Sequence, residues 1–296
     1  MIQTMLHGLS MALADSVPGV SGGTIAFIMG FYEQFLGSLH ALFGRDKGAR
    51  KQALAYLIKF AVGWCVGMGA SVLLLSNVFD RHVYVLSSLF LGLTVAALPF
   101  IAYAEQSALK GPRWHLLFTL LGASLVVAMT ALRGQSALLG NLEFSALQPL
   151  QYGYLVLSGL LAISAMLLPG VSGSTLLLIF GIYMPAINAV KGVLSLQFAY
   201  LPGLIAIATG AVLGIVFISG FIQTALHKWR SQMIYLILGL MLGSLYAIVM
   251  GPTTLSPSQP PLDLSTFHII AFIIGVAIPC TLEYSKHHAK ANRPRG

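Results

Sequence analysis

The sequence predicts an all-α integral membrane protein made of two inverted-topology repeats, each a re-entrant helical hairpin followed by three transmembrane helices. Three observations carry this: a composition too apolar for solution, an internal duplication, and an odd number of crossings in each half.

Of 296 residues, 57% are apolar and 8% are charged, against about 25% charged in a soluble domain. Such a chain has too few polar side chains to clothe a water-facing surface. The first residues, MIQTMLHGLSMALADS, have neither the basic start nor the small-residue cleavage site of a signal peptide, so they read as mature sequence. Cys65 and Cys280 stand in apolar settings, offer neither a disulfide framework nor a metal cluster, and read as packing residues.

A helix crossing a hydrocarbon layer needs roughly 20 apolar residues. Residues 53–76, 83–103, 114–132, 201–226, 232–250 and 266–282 meet that requirement. Two further apolar units, 2–43 and 150–190, are each broken in the middle by an uncharged cluster of Pro, Gly and Ser, and read as hairpins.

The duplication is visible by direct comparison. PGVSGGTIAFIMGFY at 18–32 matches PGVSGSTLLLIFGIY at 169–183 at nine of fifteen positions. Further matches follow in the same order: GWCVG at 63–67 with GAVLG at 210–214, LFLGLTVAAL at 89–98 with LILGLMLGSL at 236–245, and WHLLFTLLG at 114–122 with FHIIAFIIG at 267–275. Offsets stay between 147 and 153, which divides the chain into repeats at 1–149 and 150–296.

One hairpin and three spans make an odd number of crossings, so the second half is inverted relative to the first. Basic residues test this, because they concentrate in cytoplasmic loops. With both termini inside, twelve Lys and Arg fall in inner segments (among them Arg45, Lys110, Arg113, Lys228 and Arg230) and three, Arg81, Arg133 and Lys191, fall outside. Lys59 snorkels from the inner end of its span. The net charge of +8 is thereby a topology signal, and the nucleic-acid reading of a basic chain is rejected.

The signature PGVSG[GS]T holds the chemistry. Pro18 and Pro169 end the preceding helix. Gly19, Gly22 and Gly23 permit a tight turn and close approach of backbone to a ligand. Thr24 and Thr175 begin apolar runs of helical length, placing each cluster at a helix N-terminus with unpaired amides that attract anions. Broken helices related by an inverted repeat mark midplane substrate sites in transporters. The blander reading is close packing of small residues, but duplicated hydroxyls are not required for packing. The GxxxG pairs at 63–67 and 210–214 remain packing motifs.

Two acids, Asp15 and Glu33, read as lying at membrane depth, where an ionisable group is costly. Their repeat partners are Met166 and Met184. Asp15 either holds the loop amides or acts in transport. Glu33, nine residues beyond Thr24 and roughly 13 Å along a helix, reads as a proton or cation group. His115 and His268, matched by the repeat, read as interfacial anchors.

The doubled PGVSGGT/PGVSGST signature, with its GFYE and GIYM continuations, resembles the bacterial polyprenyl-phosphate translocases called PopT, over nearly the whole chain. That resemblance implies recycling of undecaprenyl phosphate, the lipid carrier of cell-wall precursors, from the outer to the cytoplasmic leaflet of the inner membrane. It implies headgroup contacts from Ser21, Gly22, Gly23, Thr24, Ser172, Gly173, Ser174 and Thr175. Independently of the resemblance, the two unmatched acids beside an anion site make Asp15 and Glu33 the candidates for coupling to H+ or Na+. No cofactor, catalytic residue or metal is expected; the partners are the polyprenyl phosphate and membrane lipids. A carrier for a small soluble anion is the main alternative. An integral polyprenyl-diphosphate phosphatase is weaker, because neither hairpin tip has an Arg, Lys or His to clamp a phosphoanhydride. An ATP-driven pump lacks its phosphate loop.

Overall fold

The computed structural model describes residues 2–15, 21–71, 76–132, 143–254 and 258–291; Pro18, Gly19 and Arg133, named above, lie outside them, as do Arg293 and Arg295, two of the twelve inner basic residues. Among the described residues the fold is all-helical, with no strand. In chain order the helices are α1 (Ile2–Asp15), α2 (Gly22–Met29), α3 (Tyr32–Ala41), α4 (Lys47–Ala70), α5 (Ser76–Ala104), α6 (Leu116–Ala131), α7 (Pro149–Met166), α8 (Gly173–Ile179), α9 (Tyr183–Leu194), α10 (Leu201–Lys228), α11 (Arg230–Val249) and α12 (Ile269–Ala291).

Among the described residues six helices are long and apolar enough to cross a membrane: α4, α5 beyond a kink at His82, α6, α7, α10 and α11. This set differs in two places from the spans expected from sequence. Helix α7, read as a hairpin arm, is itself 18 residues of spanning length, whereas the apolar part of α12, Ile269–Thr281, is short. Helix α4 begins at Lys47, six residues before the expected start, because the Asp46 carboxylate caps it by accepting from the Gly48 amide at 2.8 Å.

The helices pack in long pairs: α1 along α4, α7 along α10, α5 along α12 and α6 along α11. The GxxxG glycines sit in the first two seams. A Cβ at Gly63 would strike the Met5 carbonyl, and one at Gly210 the Val156 carbonyl, so these motifs are packing motifs as expected. Cys65 and Cys280, in contrast, are exposed and pack nothing, which corrects their reading as packing residues; an apolar thiol is tolerated on a lipid-facing surface. His115 is also corrected. It is buried, bonded to the Ser231 hydroxyl at 2.7 Å and packed against Tyr235, joining α6 to α11.

Each hairpin's outgoing arm is two helices where one was expected. Gly30 and Gly181 adopt left-handed φ values of 76° and 68°. In each case the glycine amide bonds back three residues and the next amide bonds back five, to Ala26 and Leu177. This is the paired carbonyl closure that ends helices at a left-handed glycine. The residue after each glycine, Phe31 or Ile182, is then driven fully into the core. The α8–α9 bend is 105°. Glu33 therefore does not continue the helix that starts beside Thr24.

Candidate functional site

The two hairpin tips begin alike. Ser21 and Ser172 have matching extended backbones (φ −113° and −99°), and their carbonyls accept from the amides of Thr24 and Thr175. Side-chain bonding then separates them.

The first tip is bonded to the other hairpin. The Ser21 hydroxyl donates to the Leu168 carbonyl at 3.3 Å, and the Thr24 hydroxyl accepts from the Gly170 amide at 2.8 Å. Gly23 faces the backbone from Met166 to Leu168 so closely that a Cβ would crowd it. That contact explains why the first copy has glycine where the second has Ser174. The Tyr32 hydroxyl adds a fourth tie, donating to the Leu167 carbonyl at 2.7 Å. The backbone partners of these bonds, the Leu167 and Leu168 carbonyls and the Gly170 amide, lie in the turn between α7 and α8, so the first tip satisfies groups that would otherwise be orphaned away from water.

The second tip faces open space. Ser172 and Ser174 share a hydroxyl–hydroxyl bond of 2.8 Å and, with Gly173, line a cavity of about 240 Å³. Apolar residues of α7, with Trp64 and Met68 of α4 and Ile207 and Ala211 of α10, form the remaining walls. The contributing stretches of α4 and α10 lie toward Ala70 and Leu201, the ends away from the basic connections. Thr175 is buried beneath the tip.

Asp15 enters the same cavity from the C-terminal end of α1. One carboxylate oxygen accepts from the Gly22 amide at 2.8 Å, so the N-terminus of α2 already has an anionic partner. The second oxygen is buried and has no hydrogen-bond partner among the described residues, with the Trp64 side chain beside it. A Cβ at Gly22 would overlap both carboxylate oxygens, which fixes glycine there.

Glu33 is elsewhere, and its placement at membrane depth is corrected. Its side chain is 57% exposed and lies 3.2 Å from Arg230, the first residue of α11. Arg230 also makes a two-pronged contact with Glu105 at 2.7 and 2.9 Å. The kink at Gly30 turned α3 away from the tip, leaving Glu33 beside a basic connection. A separate cavity of about 260 Å³ between Gly30, Glu33 and Glu105 adjoins this triad.

The structure thus gathers Asp15, Ser172, Gly173 and Ser174 at one cavity, assigns Ser21, Gly23 and Thr24 to the joint between hairpins, and separates Glu33 from both. Sequence reasoning did not single out Trp64 or Arg230. An indole inside a GxxxG motif was the available signal for Trp64; for Arg230, the signal was an arginine in the short basic stretch between two long apolar runs.

The chain is 31% identical over 280 residues to a polyprenyl-phosphate transporter of Staphylococcus aureus, covering 94% of both chains. It is 34% identical over 266 residues to a polyprenyl-phosphate transporter of Vibrio cholerae, covering 86% of this chain and 80% of the relative. No solved structure matches the chain. Residues 11–262 match the undecaprenyl phosphate translocase-like family, and the chain belongs to that family.

Proposed function

We propose that this protein carries undecaprenyl phosphate, or a closely related polyprenyl phosphate, from the outer to the cytoplasmic leaflet of the inner membrane, with the phosphate held in the Ser172–Ser174 cavity and the polyprenyl chain left in lipid. The observation that carries the reading is the pairing of hydroxyl donors with a largely apolar cavity in a chain whose relatives are named as polyprenyl-phosphate transporters. A hydroxyl bonded to a charged group contributes roughly 1.5 to 3 kcal/mol, and two such donors suit a phosphate. Exposed apolar residues of α4 and α10, Val62, Val66, Val212 and Leu213, offer the tail a surface no different from lipid.

The inverted repeat, with both termini cytoplasmic, belongs to this proposal. It is supported by corresponding packing: α1 on α4 answers to α7 on α10, and α5 on α12 answers to α11 on α6. One correspondence fails. Helix α3 packs on α10, whereas α9, its repeat partner, makes no comparable packing on α4 among the described residues. We read this as a state closed toward the basic connections and open on the opposite side, which a carrier leaves by exchanging one contact for the other. The reading as a carrier and not an enzyme is supported by the relatives' names as transporters.

The test is the leaflet distribution of polyprenyl phosphate in cells that rely on this protein alone for recycling. Depletion should raise the fraction of the lipid accessible to an added membrane-impermeant phosphatase, and re-expression should lower it. An unchanged distribution would refute the function.

A further inference from the structure

Resting on the reading above, we propose that Asp15 is the proton-carrying group of the site: the cavity accepts the anionic headgroup only when Asp15 is neutral, so a proton travels with each lipid phosphate. Among the described residues Asp15 is the one titratable side chain lining the cavity, and no Lys, Arg or His lines it. Its second oxygen is buried beside the Trp64 side chain, has no hydrogen-bond partner of good geometry among the described residues, and belongs to the same cavity lining as Ser172 and Ser174. An ionised carboxylate there repels a second anion with little solvent to screen it. A protonated one becomes a donor and adds a third hydroxyl to the two serines.

No neighbouring charge offers another way to neutralise it. On α1 itself the nearest titratable group is His7, eight residues earlier and stacked on Phe31 at 4.2 Å. On α4, Tyr56 and Lys59 lie at least one turn below Trp64, and Cys65 is exposed. Helix α2 brings only Gly22 to Asp15, and neither α7 nor α8 has a titratable side chain in the lining. Glu33, Glu105 and Arg230 are engaged with one another at the basic connection. The repeat partner of Asp15 is Met166, so the second hairpin has no equivalent acid and one site serves one proton.

The proton balance is simple. A proton from water on the open side joins the Asp15 carboxylate, the headgroup binds, and after the contact exchange the proton returns to water on the other side. Where the proton gradient points inward, it drives the lipid phosphate inward too.

The experiment measures undecaprenyl phosphate binding to the purified full-length protein in nanodiscs, across mildly acidic to mildly alkaline pH, for wild type, Asp15→Asn and Asp15→Glu. Proton uptake is read in parallel with a pH dye in weak buffer. The phosphate's own second ionisation is common to all three proteins, so differences isolate position 15. Above the Asp15 titration, wild type should take up nearly one more proton per lipid bound than Asp15→Asn and its affinity should fall by about tenfold per pH unit relative to that variant, whereas below it the two should not differ in either. Asp15→Glu should keep the proton uptake. The asparagine oxygen can still accept from the Gly22 amide, and an unchanged melting temperature confirms the fold. Equal pH dependence and equal proton uptake in wild type and Asp15→Asn would overturn the proposal. A sodium dependence abolished by Asp15→Asn would replace the proton with sodium and likewise overturn it. If wild type binds undecaprenyl phosphate no better than undecaprenol at any pH, the headgroup reading itself fails, an outcome distinct from binding that is merely indifferent to Asp15.

Discussion

Ser21 and Ser172 hold equal places in two copies of one motif, yet the first binds the Leu168 carbonyl and the second lines a cavity. The sequence made both tips candidate sites, and only their surroundings distinguish them. This divides the hydroxyls into two experimental classes. Thr24→Val should leave the buried Gly170 amide without its acceptor, costing about 1 to 3 kcal/mol and visibly lowering the melting temperature of the purified protein. Ser172→Ala should change melting little and weaken binding of undecaprenyl phosphate by about tenfold or more. If Thr24→Val weakens binding as much while melting is unchanged, the first tip contacts the headgroup after all. The Gly23/Ser174 difference was readable as a divergence, but its cause, backbone of the other hairpin against Gly23, is a contact across 143 or more positions and left no local trace.

At the scale of elements, hydropathy located most of the helices and misjudged their ends. The breaks at Gly30 and Gly181 were present in the sequence as GFY and GIY, yet each lies inside an apolar run that hydropathy alone reads as continuous. Misplacing Glu33 followed from missing that break. The α3–α10 seam is the element-scale feature with a mechanical consequence. Gly37 of α3 faces the Gln223 side chain, Gly220 of α10 faces His40, and Glu33 meets Arg230 just beyond. The partly exposed ion pairs contribute about 0 to 1 kcal/mol each, weak enough to release in each cycle. Cysteines at Gly37 and Gln223, in a protein with Cys65→Ala and Cys280→Ala, should be joined by a short thiol cross-linker. The joined protein should stop transporting in vesicles and recover when a cleavable linker is cut. Full transport with the link intact would show that α3 does not leave α10.

For the whole molecule, composition and the repeat were enough to reach an all-helical membrane protein, because both are properties of the entire chain and tolerate local misreading. The conformational state was not legible. Two halves of matching sequence predict matching contacts, yet α3 packs on α10 while α9 makes no comparable packing on α4 among the described residues; the proposed carrier cycle accounts for this as closure on one side only. Depth within the membrane was only partly legible, since an acid on a broken helix can be carried to either level. The account joins these scales in one claim, that a lipid phosphate is moved through the Ser172–Ser174 cavity. Its most direct test is transport of labelled undecaprenyl phosphate between the leaflets of vesicles containing purified protein, wild type beside Ser172→Asp. Wild type should equilibrate or accumulate the phosphate lipid while leaving undecaprenol unaffected, and Ser172→Asp, folded by its melting behaviour, should fall to the rate of empty vesicles because a fixed negative charge occupies the headgroup position. Transport by Ser172→Asp at the wild-type rate would contradict the claim and place the headgroup elsewhere.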